Sequence, residues 1–163
     1  MIDMQTDSDS IRGSLYIEAP PETVFRALTD TKQLLQWWGS ETTYRCRDWS
    51  ADPRPGGKWR SQGHNASGAP FSVEGEYTQV DPPCLLAYTW KPSWVDAPAT
   101  LVRWEFAPEG RGTRVTMAHT GFAGHSLALA DHRKGWPGVA GWLTAWCESR
   151  APIKEPGPAL KVV

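Results

Sequence analysis

Apolar and polar side chains alternate from Ile11 to Ala19, with Ile11, Leu15 and Ile17 set against Arg12, Ser14, Tyr16 and Glu18. A period of two marks a strand with one face buried, although Gly13 interrupts the first face. The period changes at Pro20-Pro21. Val24, Phe25 and Leu28 then share one helical face; proline suits a first turn, where its missing N–H would be unpaired anyway, and Glu22 sits at the positive end of the dipole. Thr29 or Asp30 caps a second short helix over residues 31–38, which stops at Gly39. From Thr42 to Thr120 the period of two returns and predicts strands over 42–48, 58–64, 71–80, 85–90, 100–107 and 113–120. Turn residues separate them: Pro53 and Pro55-Gly56-Gly57, Asn65 to Pro70, Asp81-Pro82-Pro83, Pro92 to Pro98, and Glu109-Gly110-Arg111-Gly112. In the last two strands Val102, Trp104 and Phe106 oppose Arg103 and Glu105, and Val115, Met117 and His119 oppose Arg114 and Thr116. Six strands joined by short connections form an antiparallel meander.

The final structured stretch, 126–149, is helical, and Trp136, Val139, Ala140, Leu143, Trp146 and Cys147 make its apolar stripe. Pro137 is expected to break or kink that helix, or to begin a second segment. Residues 1–10 are polar and expected to be disordered, and 150–163, with Pro152, Pro156 and Pro158, form a Pro-rich tail. The chain between them, 11–149, reads as a single domain. One strand, two short helices, six strands and a long helix bury their faces most economically as an α+β fold. One curved antiparallel sheet of about seven strands wraps the C-terminal helix, and the two short helices close one end. A sheet gripping a helix leaves a space between them, open or filled according to the side chains that face it.

Composition sharpens the question of that space. Ten of the 163 residues are Trp. Trp38, Trp59, Trp90, Trp104 and Trp136 lie on different elements whose predicted inner faces converge. With Phe71, Tyr77, Tyr88, Val102, Met117, His119 and Val139 they form the candidate ligand-binding set. Large flat walls suit an aromatic or lipid-like ligand, and the same indoles could instead fill the core. Trp94, on the Pro-rich 92–98 loop, is placed near the mouth. The formal charge is −1, which argues against nucleic acid as a partner, since a phosphate backbone needs a basic face. Cys46, Cys84 and Cys147 are three widely spaced thiols, neither a disulfide framework nor a zinc site. Met1 to Ser10 lacks the apolar run of a signal peptide, and no apolar stretch is long enough to span a membrane. A cytoplasmic location is expected.

Candidate chemistry is sparse. His119, on the inferred cavity face, is the one candidate for a general base, with a backbone-bonded core histidine as the alternative. Gly56-Gly57 lacks the lysine-serine signature of a phosphate cradle and reads as a turn, which Asp52 and Arg54 brace. His125, Asp131 and His132 do not share one helical face, so no metal site is expected. Glu74 and Glu76 read as solvated, and Cys147, at a helix C-terminus, has a dipole that raises its thiol pKa. No cofactor is expected.

The motifs also resemble a known family. Ala19-Pro20-Pro21-Glu22-Thr23-Val24-Phe25-Arg26-Ala27-Leu28-Thr29-Asp30 resembles the opening of the SRPBCC (START-like) superfamily, in the branch of homologues of the heat-shock-protein ATPase activator. Trp37-Trp38-Gly39, Asp52 to Trp59, Asp81-Pro82-Pro83 through Trp90, Gly112 to Phe122 and Gly135-Trp136 follow in the family's order. The likeness spans about residues 11–149. It implies a helix-grip fold with a central cavity that binds a hydrophobic small molecule. The alternatives it carries are an enzyme of polyketide-cyclase or hydrolase type using His119, and a protein-interaction role. Only ten residues precede the first predicted strand, where the eukaryotic-type activator has a further domain, so a heat-shock chaperone is not the expected partner. By analogy a homodimer is compatible with the surplus Trp.

Overall fold

The alternating stretch at 11–19 forms one strand of an eight-stranded antiparallel sheet. The computed structural model describes residues 1–153. In chain order the elements are β1 (Asp3–Thr6), β2 (Ser10–Ile17), α1 (Pro21–Thr29), α2 (Thr31–Trp37), β3 (Tyr44–Ala51), β4 (Lys58–Asn65), β5 (Pro70–Asp81), β6 (Leu85–Pro92), β7 (Thr100–Glu109), β8 (Gly112–Thr120) and α3 (Ser126–Ser149). The sheet order is β1-β2-β8-β7-β6-β5-β4-β3. Two bulges, between Cys46 and Asp48 in β3 and between Tyr77 and Gln79 in β5, add a residue to one strand of each pair. An extra residue bends its strand and increases the local twist, which helps curve the sheet around α3. This is the helix-grip architecture, and no helix among the described residues is long and apolar enough to cross a membrane.

The structure corrects the reading in three places. Residues 3–6, expected to be disordered, pair with β2 as an added edge strand. Asp7 closes that hairpin: its Oδ1 accepts the backbone N–H of Asp9 at 2.8 Å and of Ser10 at 2.7 Å. Gly13, which interrupted the pattern of β2, makes room for Ile2, since an added Cβ would collide with that side chain. Pro137 leaves α3 unbroken. Pro137 and Arg133, whose carbonyl loses its helical donor, are both exposed residues of α3. Trp38 lies one residue beyond α2, as its C-cap. Of the Pro-rich tail, Ile153 donates its N–H to the Gln36 carbonyl at 2.8 Å, and residues 154–163 lie outside the described residues.

The core has two unlike halves. Over β2, β7 and β8, Ile11, Ile17, Val102, Phe106 and Val115 join Val24 and Leu143 in one close-packed cluster. There α3 and α1 press directly on the sheet, and Phe25 of α1 meets Phe106 edge-on at 5.9 Å. Over β3 to β6 the helix stands away from the sheet, and the intervening space is only partly filled.

Candidate ligand cavity

That space is a cavity of about 490 Å³ between β3–β6 and the N-terminal half of α3. Its floor is Cys46, Ser61 and Val73, inward residues of three neighbouring strands. Its walls are aromatic: Trp38, Tyr44, Trp49, Phe71, Trp90 and Trp136, with Trp94 at the rim. Trp38 stacks on Trp90 with centroids 6.1 Å apart, and Trp49 stacks on Trp59 at 6.2 Å. Gly75 permits this, because a Cβ there would strike both the Thr89 carbonyl and the Trp59 indole. On α3, His132, Trp136 and Val139 present one face at i, i+4 and i+7. The mouth lies between Asn65, Ala69 and Pro70 of the β4–β5 hairpin, the exposed Trp94 of the β6–β7 loop, and Asp131 and Gly135 of the helix.

The polar groups around the cavity are bonded to one another. Trp38 donates its indole N–H to the Tyr44 hydroxyl at 2.9 Å, Trp90 to His132 Nε2 at 2.9 Å, Trp94 to Asp131 Oδ2 at 2.9 Å, and Trp136 to His119 Nδ1 at 3.1 Å. An indole nitrogen only donates, so each receiving imidazole nitrogen carries a lone pair. His132 therefore holds its proton on Nδ1, which donates to the Ala128 carbonyl at 2.8 Å. His119 holds its proton on Nε2, which donates to Thr100 Oγ1 at 2.6 Å, and Thr100 in turn donates to the Trp90 carbonyl at 3.3 Å. Burial, with His132 nearby, keeps the His119 pKa well below its ordinary value. Burial likewise pushes the Cys46 thiol up to about 12, so the floor of the cavity carries a protonated thiol.

A family model for activator of Hsp90 ATPase homolog 1-like proteins matches residues 18–148. The chain belongs to that family. The activator-homologue assignment agrees with solved structures of the same fold. Protein CV1439 from Chromobacterium violaceum is similar at 26% identity, with 85% of this chain and 96% of that one covered and a TM-score of 0.77. Ms6760 from Mycobacterium smegmatis is similar at 20% identity, with 91% and 98% covered and a TM-score of 0.78. DynU16, described as a protein in the dynemicin biosynthetic locus, is similar at 22% identity with a TM-score of 0.73; 90% of this chain aligns with 49% of that one. No curated protein matches.

Within this activator homologue, five residues of the sequence-derived ligand set line the cavity: Trp38, Phe71, Trp90, Trp136 and Val139. Trp59, Tyr77 and Tyr88 lie behind Trp38 and Trp90, filling the space toward Leu28 and Leu34. Val102, Trp104, Met117 and His119 are outside the cavity wall, in the close-packed half; His119 is 0% exposed. Trp104 donates to the Tyr88 hydroxyl at 3.0 Å and meets Trp136 edge-on at 5.6 Å. The strand pattern pointed inward correctly for these residues, but α3 and Trp136 already fill the space in front of them. The sequence reading missed Tyr44, Cys46, Trp49, Ser61 and Val73, and gave Asp131 and His132 only a metal-site reading. The bulge at Arg47 hides the three on β3: Tyr44 and Cys46 face in at even positions, and after the extra residue Trp49 faces in at an odd one. His132 extends the α3 stripe one turn upstream of Trp136, a turn that an expected break at Pro137 cuts off.

Proposed function

We propose that this protein binds a flat apolar or aromatic small molecule in the cavity between β3–β6 and α3. The observation that carries the reading is an unfilled volume of about 490 Å³ walled by seven aromatic rings. Ligand sites of this size, mostly apolar with a few polar groups, bury most of a small molecule's surface. Of the five lining indoles, Trp38, Trp90, Trp94 and Trp136 give their N–H groups to protein acceptors, so they offer faces and edges to a guest. The location of DynU16 in a biosynthetic locus agrees with a small-molecule ligand. Acid–base catalysis by His119 finds no support in the geometry, because both ring nitrogens are bonded and the residue has no path to a guest.

The test is saturable binding of the neutral probe N-phenyl-1-naphthylamine, read as probe emission. Val139→Trp, which fills the cavity from α3, should abolish binding while the circular dichroism stays native. Absence of saturable binding to the natural chain, or binding unaffected by Val139→Trp, would overturn the reading.

A further inference from the structure

The charge of the lining is as one-sided as its polarity. Among the described residues no Lys or Arg lines the cavity, and the one carboxylate in its lining is Asp131 at the mouth. Arg133 and Lys134, the next basic residues on α3, are exposed and occupy positions off the cavity-facing stripe. Lys91, on β6, turns its ammonium to the Ala97 carbonyl at 2.9 Å. His119 and His132 are both engaged in the hydrogen-bond network, each accepting an indole N–H, and His132 Nδ1 lies 4.0 Å from Asp131 Oδ2. Asp131 Oδ2 accepts from Trp94, and Oδ1 has no bond among the described residues. Beside it, Trp94 lies parallel to His132 with centroids 6.4 Å apart, meets Phe71 edge-on at 5.9 Å, and is half exposed at the mouth.

A carboxylate guest would have to leave water without a cation to meet it, and would stand near a like charge. An ammonium at the mouth would gain the free oxygen of Asp131 and the negative faces of the adjoining indoles. Resting on the cavity reading above, we propose that the cavity selects by charge. It accepts an aromatic guest that is neutral or carries an amine, with the ammonium at Asp131 beside Trp94, and it rejects a carboxylate of the same shape.

Three anthracenes with one body and different heads test this on the full chain: 9-(aminomethyl)anthracene, 9-(hydroxymethyl)anthracene and anthracene-9-carboxylate, each titrated by energy transfer from Trp. The amine should bind roughly tenfold more tightly than the alcohol, and the carboxylate at least as much more weakly. Asp131→Asn, which keeps an acceptor for Trp94 but removes the charge, should collapse the amine-to-carboxylate ratio. If all three bind alike, or the ratio survives Asp131→Asn, charge selection is overturned while the cavity reading stands. If none binds, the cavity reading falls and this inference falls with it.

Discussion

Trp136 donates its indole N–H to Nδ1 of His119 at 3.1 Å, and that one bond fixes the imidazole proton on Nε2. From there the chain of donors runs through Thr100 to the carbonyl of Trp90, tying α3, β8, β7 and β6 together inside the core. The histidine is thus a structural connector whose loss leaves Trp136 and Thr100 without partners.

His119→Ala should therefore destabilise the fold by about 2–4 kcal/mol, combining lost hydrogen bonds with a void. Urea unfolding followed by circular dichroism measures it. A loss under about 0.5 kcal/mol would show that the network does not hold the core.

The same residue sets a dependence on pH. In the folded chain its pKa lies well below 6.5, so it stays neutral while the unfolded chain takes up a proton near 6.5. Below that value the unfolded state binds more protons, so its contribution to stability is full above pH 6.5 and is lost as pH falls toward the folded pKa. The slope is up to about 1.4 kcal/mol per pH unit. Urea midpoints at pH 7.5, 6.0 and 5.0 should fall for the natural chain and fall less for His119→Gln. Parallel curves for the two chains would refute the assignment.

Thiol chemistry should divide the three cysteines. Cys84 is exposed, whereas Cys46 and Cys147 are buried, and burial pushes both of these thiols up to about 12. A disulfide reagent such as Ellman's at pH 8 should label Cys84 alone in the folded protein, and all three after denaturation. Prompt native labelling of Cys46 would contradict the protonated state that burial imposes on its thiol.

Gly141 lies in the middle of α3, exposed, and a Cβ added there meets nothing within 4 Å. Gly141→Ala should stabilise the protein by roughly 0.5–1 kcal/mol, because it restricts the unfolded chain and improves helix propensity at no steric cost. Thermal unfolding checks the sign; a lower midpoint would mean that α3 is distorted at this turn.

Strand existence and facing were readable wherever the alternation ran unbroken, as in β7 and β8. The reading failed where one residue changes the phase. The bulge at Arg47 turned Trp49 into the cavity against the pattern of Tyr44 and Cys46, and nothing local in Arg45–Asp48 announces an extra residue. Pro137 misled in the opposite direction, because its effect depends on which side of the helix it occupies, and that is set by tertiary packing. The edge strand at 3–6 depended on Asp7 as a clamp and on Gly13 as a seat for Ile2, two relations across the hairpin that neither segment displays alone. The convergence of indoles was legible; which of them meet empty space was decided by where α3 leans.

That lean separates two tasks. Over β2, β7 and β8 the inward side chains are buried in one cluster with α1 and α3, so an altered shape there disturbs the fold as a whole. Around Phe71, Val73 and Val139 the neighbours are already absent on one side, so replacements of different size meet little resistance. On the binding reading proposed above, guest preference can therefore be altered through the hollow half of the sheet, while the filled half preserves the ability to fold.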